Sequence, residues 1–216
     1  AARLSEAIQK GEKIAIFGDY DVDGATSSAL LTRFFSAVST PPRIYIPDRL
    51  KEGYGPTSDA MTLLAGEGAR VVVTVDCGIS SFDPLTVAKE AGLEVIVVDH
   101  HVAEATLPEA VAVINPNRLD EDGSLGHLAG VGVAFLLVIA VNRALRDAGW
   151  YTSRPEPKLM QWLDLVALGT VCDVVPLKGL NRALVVQGLK VMAGRANTGL
   201  AALSDSAKID RRPEVY

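Results

Sequence analysis

Apolar and polar residues fall into two patterns along this chain, and the change from one to the other divides it. In the first half, short unbroken apolar runs alternate with helical stretches. The runs are Lys13–Gly18, Arg43–Ile46, Arg70–Val75, Glu94–Val98 and Val111–Ile114. Helices are expected between them at about Ala25–Val38, Asp59–Ala65 and Pro84–Ala91, the second capped by Thr57 or Ser58. Continuous β-branched runs are buried on both faces, and with alternating helices they predict a mostly parallel sheet flanked by helices. From Leu128 onward the pattern is helical, at about Gly130–Ala148, Lys158–Leu168 and Asn181–Met192, with Gly149–Pro157 as a loop. The expected fold is α/β with a helical C-terminal half. It divides into a sheet part at about 1–125 and a helical part at about 126–216.

Composition narrows the class. Apolar residues make up 49% and charged residues 22%, so a sizeable core can form. The longest apolar stretch, Leu128–Val141, has 14 residues, short of the about 18 that a membrane span needs. No membrane partner is expected. Cys77 and Cys172 make no disulfide framework, and no basic-then-apolar leader opens the sequence, which together predict a cytoplasmic setting. A first residue of Ala, and an end at Arg211–Tyr216 without the look of a natural stop, suggest a piece of a longer protein.

The formal charge is −5, from 21 Lys and Arg against 26 Asp and Glu. Nucleic-acid binders usually carry a basic stripe, so this argues against a polyanionic partner. The objection weakens if carboxylates hold cations. Setting aside the six acids Asp19, Asp21, Asp23, Asp76, Asp99 and Asp173 moves −5 to +1, and two divalent ions on the whole chain give about −1.

Those six acids lie where chemistry is expected. Ligands of open parallel sheets bind beyond the carboxyl ends of the strands. The first strand runs into Asp19-Tyr20-Asp21-Val22-Asp23-Gly24, the third into Asp76-Cys77-Gly78, and the fourth into Asp99-His100-His101. Crowded carboxylates repel one another unless cations neutralise them, and oxygen with imidazole donors suits Mn²⁺ or Mg²⁺. Each piece also has a plainer reading. Asp-x-Asp-x-Asp-Gly opens an EF-hand loop, but position 12 is Leu30 where a bidentate Glu is required, and a strand precedes it. Asp76 alone reads as a turn residue, the two histidines as a solvated pair, and Asp99 as an imidazole's hydrogen-bond partner. Their arrival at one edge from three strands is what favours a metal site.

At this point the sequence resembles the DHH phosphoesterase superfamily. The resemblance rests on Gly18–Gly24, Val75–Gly78, Asp99–His101 and Ala167–Leu177, with linking matches at Glu52–Pro56, Asn115–Asn117 and Leu128–Phe135. It covers nearly the whole chain in order, and within the superfamily it is closer to the bacterial single-strand-specific 5′→3′ DNA exonucleases. Relatives acting on pyrophosphate or small nucleotides carry a His where Phe17 stands, whereas the exonucleases carry an acid at the position of Asp19. The resemblance implies Asp19, Asp21, Asp23, Asp76, His100 and Asp173 as ligands of two divalent ions, Mn²⁺ or Mg²⁺, with Asp76 bridging. It implies Asp19 and His101 as catalytic, with His101 on the scissile phosphate; Arg49, beside the Gly53–Gly55 turn, is read as a further substrate contact. Lys51 and Arg118 are read as loop cations near the same edge.

The implied reaction is attack of activated water on single-stranded DNA, releasing nucleoside 5′-monophosphates in DNA repair and recombination. A single-strand-binding protein and a helicase are the partners implied for the parent protein. Two alternatives stand beside it: a phosphodiesterase of short oligonucleotides or cyclic dinucleotides, and a non-catalytic replication scaffold of the same superfamily. Exonucleases of this kind continue into a second, substrate-binding domain, which is expected to lie outside this chain. Cys77 and Cys172 are expected as buried thiols, His127 as a loop or capping residue, and Trp150, Tyr151 and Trp162 as core or interdomain aromatics rather than stacking platforms.

Overall fold

The computed structural model describes residues 1–209; the terminal run Arg211–Tyr216, read above as an unnatural end, lies outside the described residues. All five apolar runs are strands: β1 (Ile14–Gly18), β2 (Arg43–Tyr45), β3 (Val71–Val75), β4 (Glu94–Val98) and β5 (Ala112–Ile114). They form one sheet in the order β2-β1-β3-β4-β5, and every pairing is parallel.

Side chains of a strand point alternately to opposite faces, and the unbroken apolar runs accordingly feed two cores. Ile14, Ile16, Val71, Val73, Val75, Ile96 and Val98 pack on one side beneath α1 (Ala2–Lys10), α2 (Val22–Ala37) and α6 (Gly130–Asp147). Ala15, Phe17, Val72, Val95 and Val97 pack on the other against Met61 and Leu64 of α4 (Ser58–Gly66) and Leu85 of α5 (Phe82–Glu90). The larger core continues into α7 (Leu163–Cys172) and α8 (Gly179–Ala193) through Leu163, Val166 and Leu184. Among the described residues no helix is long and apolar enough to cross a membrane.

Some boundaries differ from the sequence reading. α1, the short α3 (Arg49–Glu52) and α9 (Thr198–Ser206) were not expected. α2 starts at Val22 because Asp21 accepts the Gly24 N–H at 3.0 Å, so the acidic motif itself caps the helix. The helix expected at Lys158–Leu168 begins with a 3₁₀ turn, Leu159–Trp162, and its α-helical part runs on to Cys172. Gly169, Thr170 and Val171 are weak helix formers, and tertiary packing overrides that preference. A Cβ on Gly169 would lie 2.2 Å from Thr26 Oγ1, so side chains of α2 pack directly on the α7 backbone there.

Strand order places the site. β2 lies to one side of β1, and the chain then crosses back to lay β3 on the other. Such a reversal opens a crevice at the strand C-termini, between β1 and β3. Gly18, Val75, Val98 and Ile114 are in register across the sheet, so Asp19, Asp76, Asp99 and Asn115 leave it along one line.

Candidate metal centre

Three residues come from the turn after β1. Asp19 is buried, and its Oδ1 has no hydrogen-bond partner. Asp21 is exposed at the α2 cap. Asp23, in the first turn of α2, is 1% exposed, and its oxygens accept the Gly130 and Val131 N–H groups at 2.6 and 2.8 Å.

After β3, Asp76 takes a left-handed backbone, φ 59°, a conformation uncommon outside glycine that aspartate and asparagine tolerate better than most residues. The Tyr54 hydroxyl donates to its carbonyl at 3.0 Å. After β4, Asp99 is fully buried and accepts four bonds: from the N–H groups of Ile79 (3.0 Å), His100 (2.7 Å) and His101 (3.1 Å), and from the His101 ring Nδ1 (2.7 Å). Asn115 and Asn117 brace the same turn by donating to the carbonyls of His101 and His100.

His100 is the hub. Its Nε2 lies 3.2 Å from Asp76 Oδ1, 3.6 Å from Asp173 Oδ2 and 3.8 Å from Asp23 Oδ2. Asp173 reaches it from the C-terminal cap of α7. Three sets of donors fall within 4.8 Å: Asp19, Asp21 and Asp76; Asp23, His100 and Asp173; Asp76, His100 and His101. All six residues expected as ligands are thus brought together, and Asp76 belongs to two of the sets.

Asp99 stands outside these sets, as the partner of an imidazole. The other expected cations fare unequally. Lys51 lies in α3 rather than a loop and pairs with Asp48 at 2.9 Å. Arg118 binds Asp120 and the Val113 carbonyl, which leaves it no free face for phosphate. Arg49 is exposed, with its guanidinium 4.7 Å from the Tyr20 ring centroid and 5.3 Å from that of Tyr54. Sequence reasoning gave neither tyrosine a role, although both lie inside the motifs it singled out. Cys77 is buried as expected; Cys172 is exposed, contrary to expectation. Its place near the end of α7 turns it out of the core. Trp162 is in the core, with Trp150 and Tyr151 packed against it, and His127 lies in the loop before α6.

The electrostatics follow from burial. Asp76 is pushed up to about 7, chiefly by desolvation, against the opposing influence of the His100 imidazole 3.2 Å away. Desolvation also lifts Asp23 to about 6, despite its two backbone donors, and raises Asp19 and Asp173. Burial works against a charge on His100, but Asp76, Asp173 and Asp23 together raise it to about 9. The bond to Asp99 raises His101 and holds Asp99 itself low against its burial. Without cations, this cluster keeps protons in their place.

The arrangement is that of a doubly wound α/β domain with an acid and imidazole cluster at its topological switch point. The description “DHH family, N-terminal domain” matches residues 13–170, and the chain belongs to that family. It is 44% identical over 211 residues to the single-stranded-DNA-specific exonuclease RecJ of Salmonella typhimurium, covering 96% of this chain and 37% of that protein. The crystal structure of exonuclease RecJ bound to manganese superposes with a TM-score of 0.84 at 38% identity, over 97% of this chain and 51% of that one. RecJ of Thermus thermophilus in complex with Mn²⁺ gives 0.77 at 35% identity, over 95% and 28%. The chain thus spans little more than a third of the length of the Salmonella relative.

Proposed function

We propose that this chain carries the metal-dependent catalytic centre of a 5′→3′ exonuclease that hydrolyses single-stranded DNA to nucleoside 5′-monophosphates. One observation carries the reading. Asp19 Oδ1, Asp76 Oδ1, His100 Nε2 and Asp173 Oδ2 are all buried without hydrogen-bond partners, and they belong to the converging donor sets. Buried polar atoms are normally satisfied. Oxygen and imidazole donors orphaned together fit Mn²⁺ or Mg²⁺. Similarity to RecJ over nearly the whole chain supports the substrate class.

In this reading Asp23, His100 and Asp173 would hold one ion and Asp19 and Asp21 the other, with Asp76 within reach of both sets. When bound, such a pair lowers the pKa of water and neutralises charge on the phosphate. The protein's own groups do the rest. Asp19 orients the attacking water and accepts its hydrogen bond. Asp99 holds the His101 ring through Nδ1, which leaves Nε2 to donate to a phosphate oxygen as charge builds. Arg49, steadied by Tyr20 and Tyr54, meets the phosphate from outside.

The chain forms one catalytic domain, sheet part at about 1–125 and helical part at about 126–216, and the second domain of the whole protein holds the strand. DNA repair and recombination in the cytoplasm, alongside a single-strand-binding protein and a helicase, is the corresponding setting. The test is release of mononucleotides from 5′-labelled single-stranded DNA with Mn²⁺, against Asp76→Ala and against a dinucleotide substrate. Metal-dependent release from the long strand, lost in Asp76→Ala, is expected. Full activity in that variant, or preference for the dinucleotide, refutes the assignment.

A further inference from the structure

The first turn of α6 ends on the acidic cluster. Its first two N–H groups each take one oxygen of Asp23, Gly130 at 2.6 Å and Val131 at 2.8 Å. A carboxylate held at both oxygens has a single orientation, and the positive end of the 18-residue α6 favours its charge. Oδ2 still lies 3.8 Å from His100 Nε2, so this clamp fixes one side of a donor set.

Gly130 also leaves a space. A Cβ built on it would lie 2.9 Å from Asp23 Oδ2, 3.2 Å from Asp76 Oδ1 and 3.3 Å from Asp76 Cβ. Its three nearest neighbours therefore belong to two acids from different parts of the fold, the first turn of α2 and the turn after β3. The backbone at Gly130 is not left-handed, so chain conformation does not ask for glycine, and alanine is the better helix former. Gly132, two residues on and about 200° round the same helix, differs: a Cβ there would meet Leu128 at 3.5 Å, an ordinary contact.

We infer that Gly130 is a positioning residue of the metal centre: the missing side chain and the α6 clamp together set the spacing of Asp23 and Asp76. Those two acids stand in different donor sets, so a methyl at this point drives a wedge between the two halves of the centre. The inference rests on the proposed metal reading.

The test compares wild type, Gly130→Ala, Gly132→Ala and Asp76→Ala as whole chains stripped of metal. Mn²⁺ is titrated by calorimetry, and bound ions are counted and examined for spin coupling by low-temperature EPR. Wild type and Gly132→Ala are expected to take two ions with a coupled signal. Gly130→Ala is expected to lose roughly 10–100-fold in affinity for at least one ion, the scale on which outer partners act, and to show an isolated-ion signal. Its metal-free chain should still melt cooperatively, at a lower temperature than wild type, because the Asp23 carboxylate must give up part of its backbone clamp. Equal affinity and coupling in Gly130→Ala overturn the inference. So does a Gly130→Ala chain unfolded without metal, because the methyl would then be displacing the core. A wild type that takes no Mn²⁺ overturns the underlying reading, and this inference with it.

Discussion

Loading the cluster with Mn²⁺ must displace the protons that the metal-free fold keeps there. Metal ligands bind deprotonated, so affinity and pH are linked through the number of protons expelled. The groups that matter are His100, raised to about 9, Asp76, raised to about 7, and Asp23, raised to about 6. At pH 6 His100 is fully protonated, Asp76 largely and Asp23 about half, so loading should expel on the order of two protons. At pH 8 only His100 remains substantially protonated, and release should fall to about one. Apparent affinity should therefore climb by roughly three orders of magnitude between pH 6 and pH 8. Calorimetry in buffers of matched pH and contrasting ionisation enthalpy measures the protons directly. Release near zero at pH 6, or an affinity flat across this range, would falsify the claim that protons stand in for cations.

Three further outcomes follow from the same geometry. The metal-free chain should melt lower as pH rises from 5 to 9. Asp23 and Asp76 have raised folded values, so their contribution is present below about 4 and is lost as pH climbs through 6 and 7. His100 loses its own contribution as pH climbs through 9, and saturating Mn²⁺ should reverse the trend; a metal-free melting temperature that rises with pH would contradict it. Val174 follows Asp173 with φ 60° and is 86% exposed, a rare posture for a β-branched residue. Val174→Gly should stabilise the metal-free fold by about 1 kcal/mol in chelator melts, and a loss of stability would show the turn to be unstrained. Asp99→Asn removes the charge that holds the His101 ring, so kcat on single-stranded DNA should fall roughly 10²-fold while two Mn²⁺ still bind. Loss of metal binding in that variant would make Asp99 part of the ligand frame.

How much of this was legible in the sequence depended on what kind of signal each element leaves. β1, β3 and β4 were readable because strands buried on both faces leave unbroken apolar runs. α2 was placed late because Asp21 and Asp23, which begin it, look like loop residues when read for their chemistry. α1 and α9 lie outside the strand–helix alternation that carried the reading, one before β1 and the other after α8. α3 is a single turn capped by Asp48. The ligand set was readable because side chains carry it and strand ends collect it. The Asp23 clamp was not, because its donors are backbone N–H groups 107 and 108 residues away, and such groups leave no trace in residue type. The aromatic faces around Arg49 were hidden for a related reason: Tyr20 follows β1 and Tyr54 follows α3, and they flank Arg49 only in the folded chain.

The centre is also divided along the chain in a way that engineering can use. Asp19, Asp21, Asp23, Asp76 and His100 all precede the exposed run Leu119–Gly123, whereas Gly130, Val131 and Asp173 follow it. A break in that run would divide the set of Asp23, His100 and Asp173 between two polypeptides. A cation at that set would add a coordination-driven fastener to the apolar core the halves share. Mn²⁺ concentration would become a dial for complementation of the split protein.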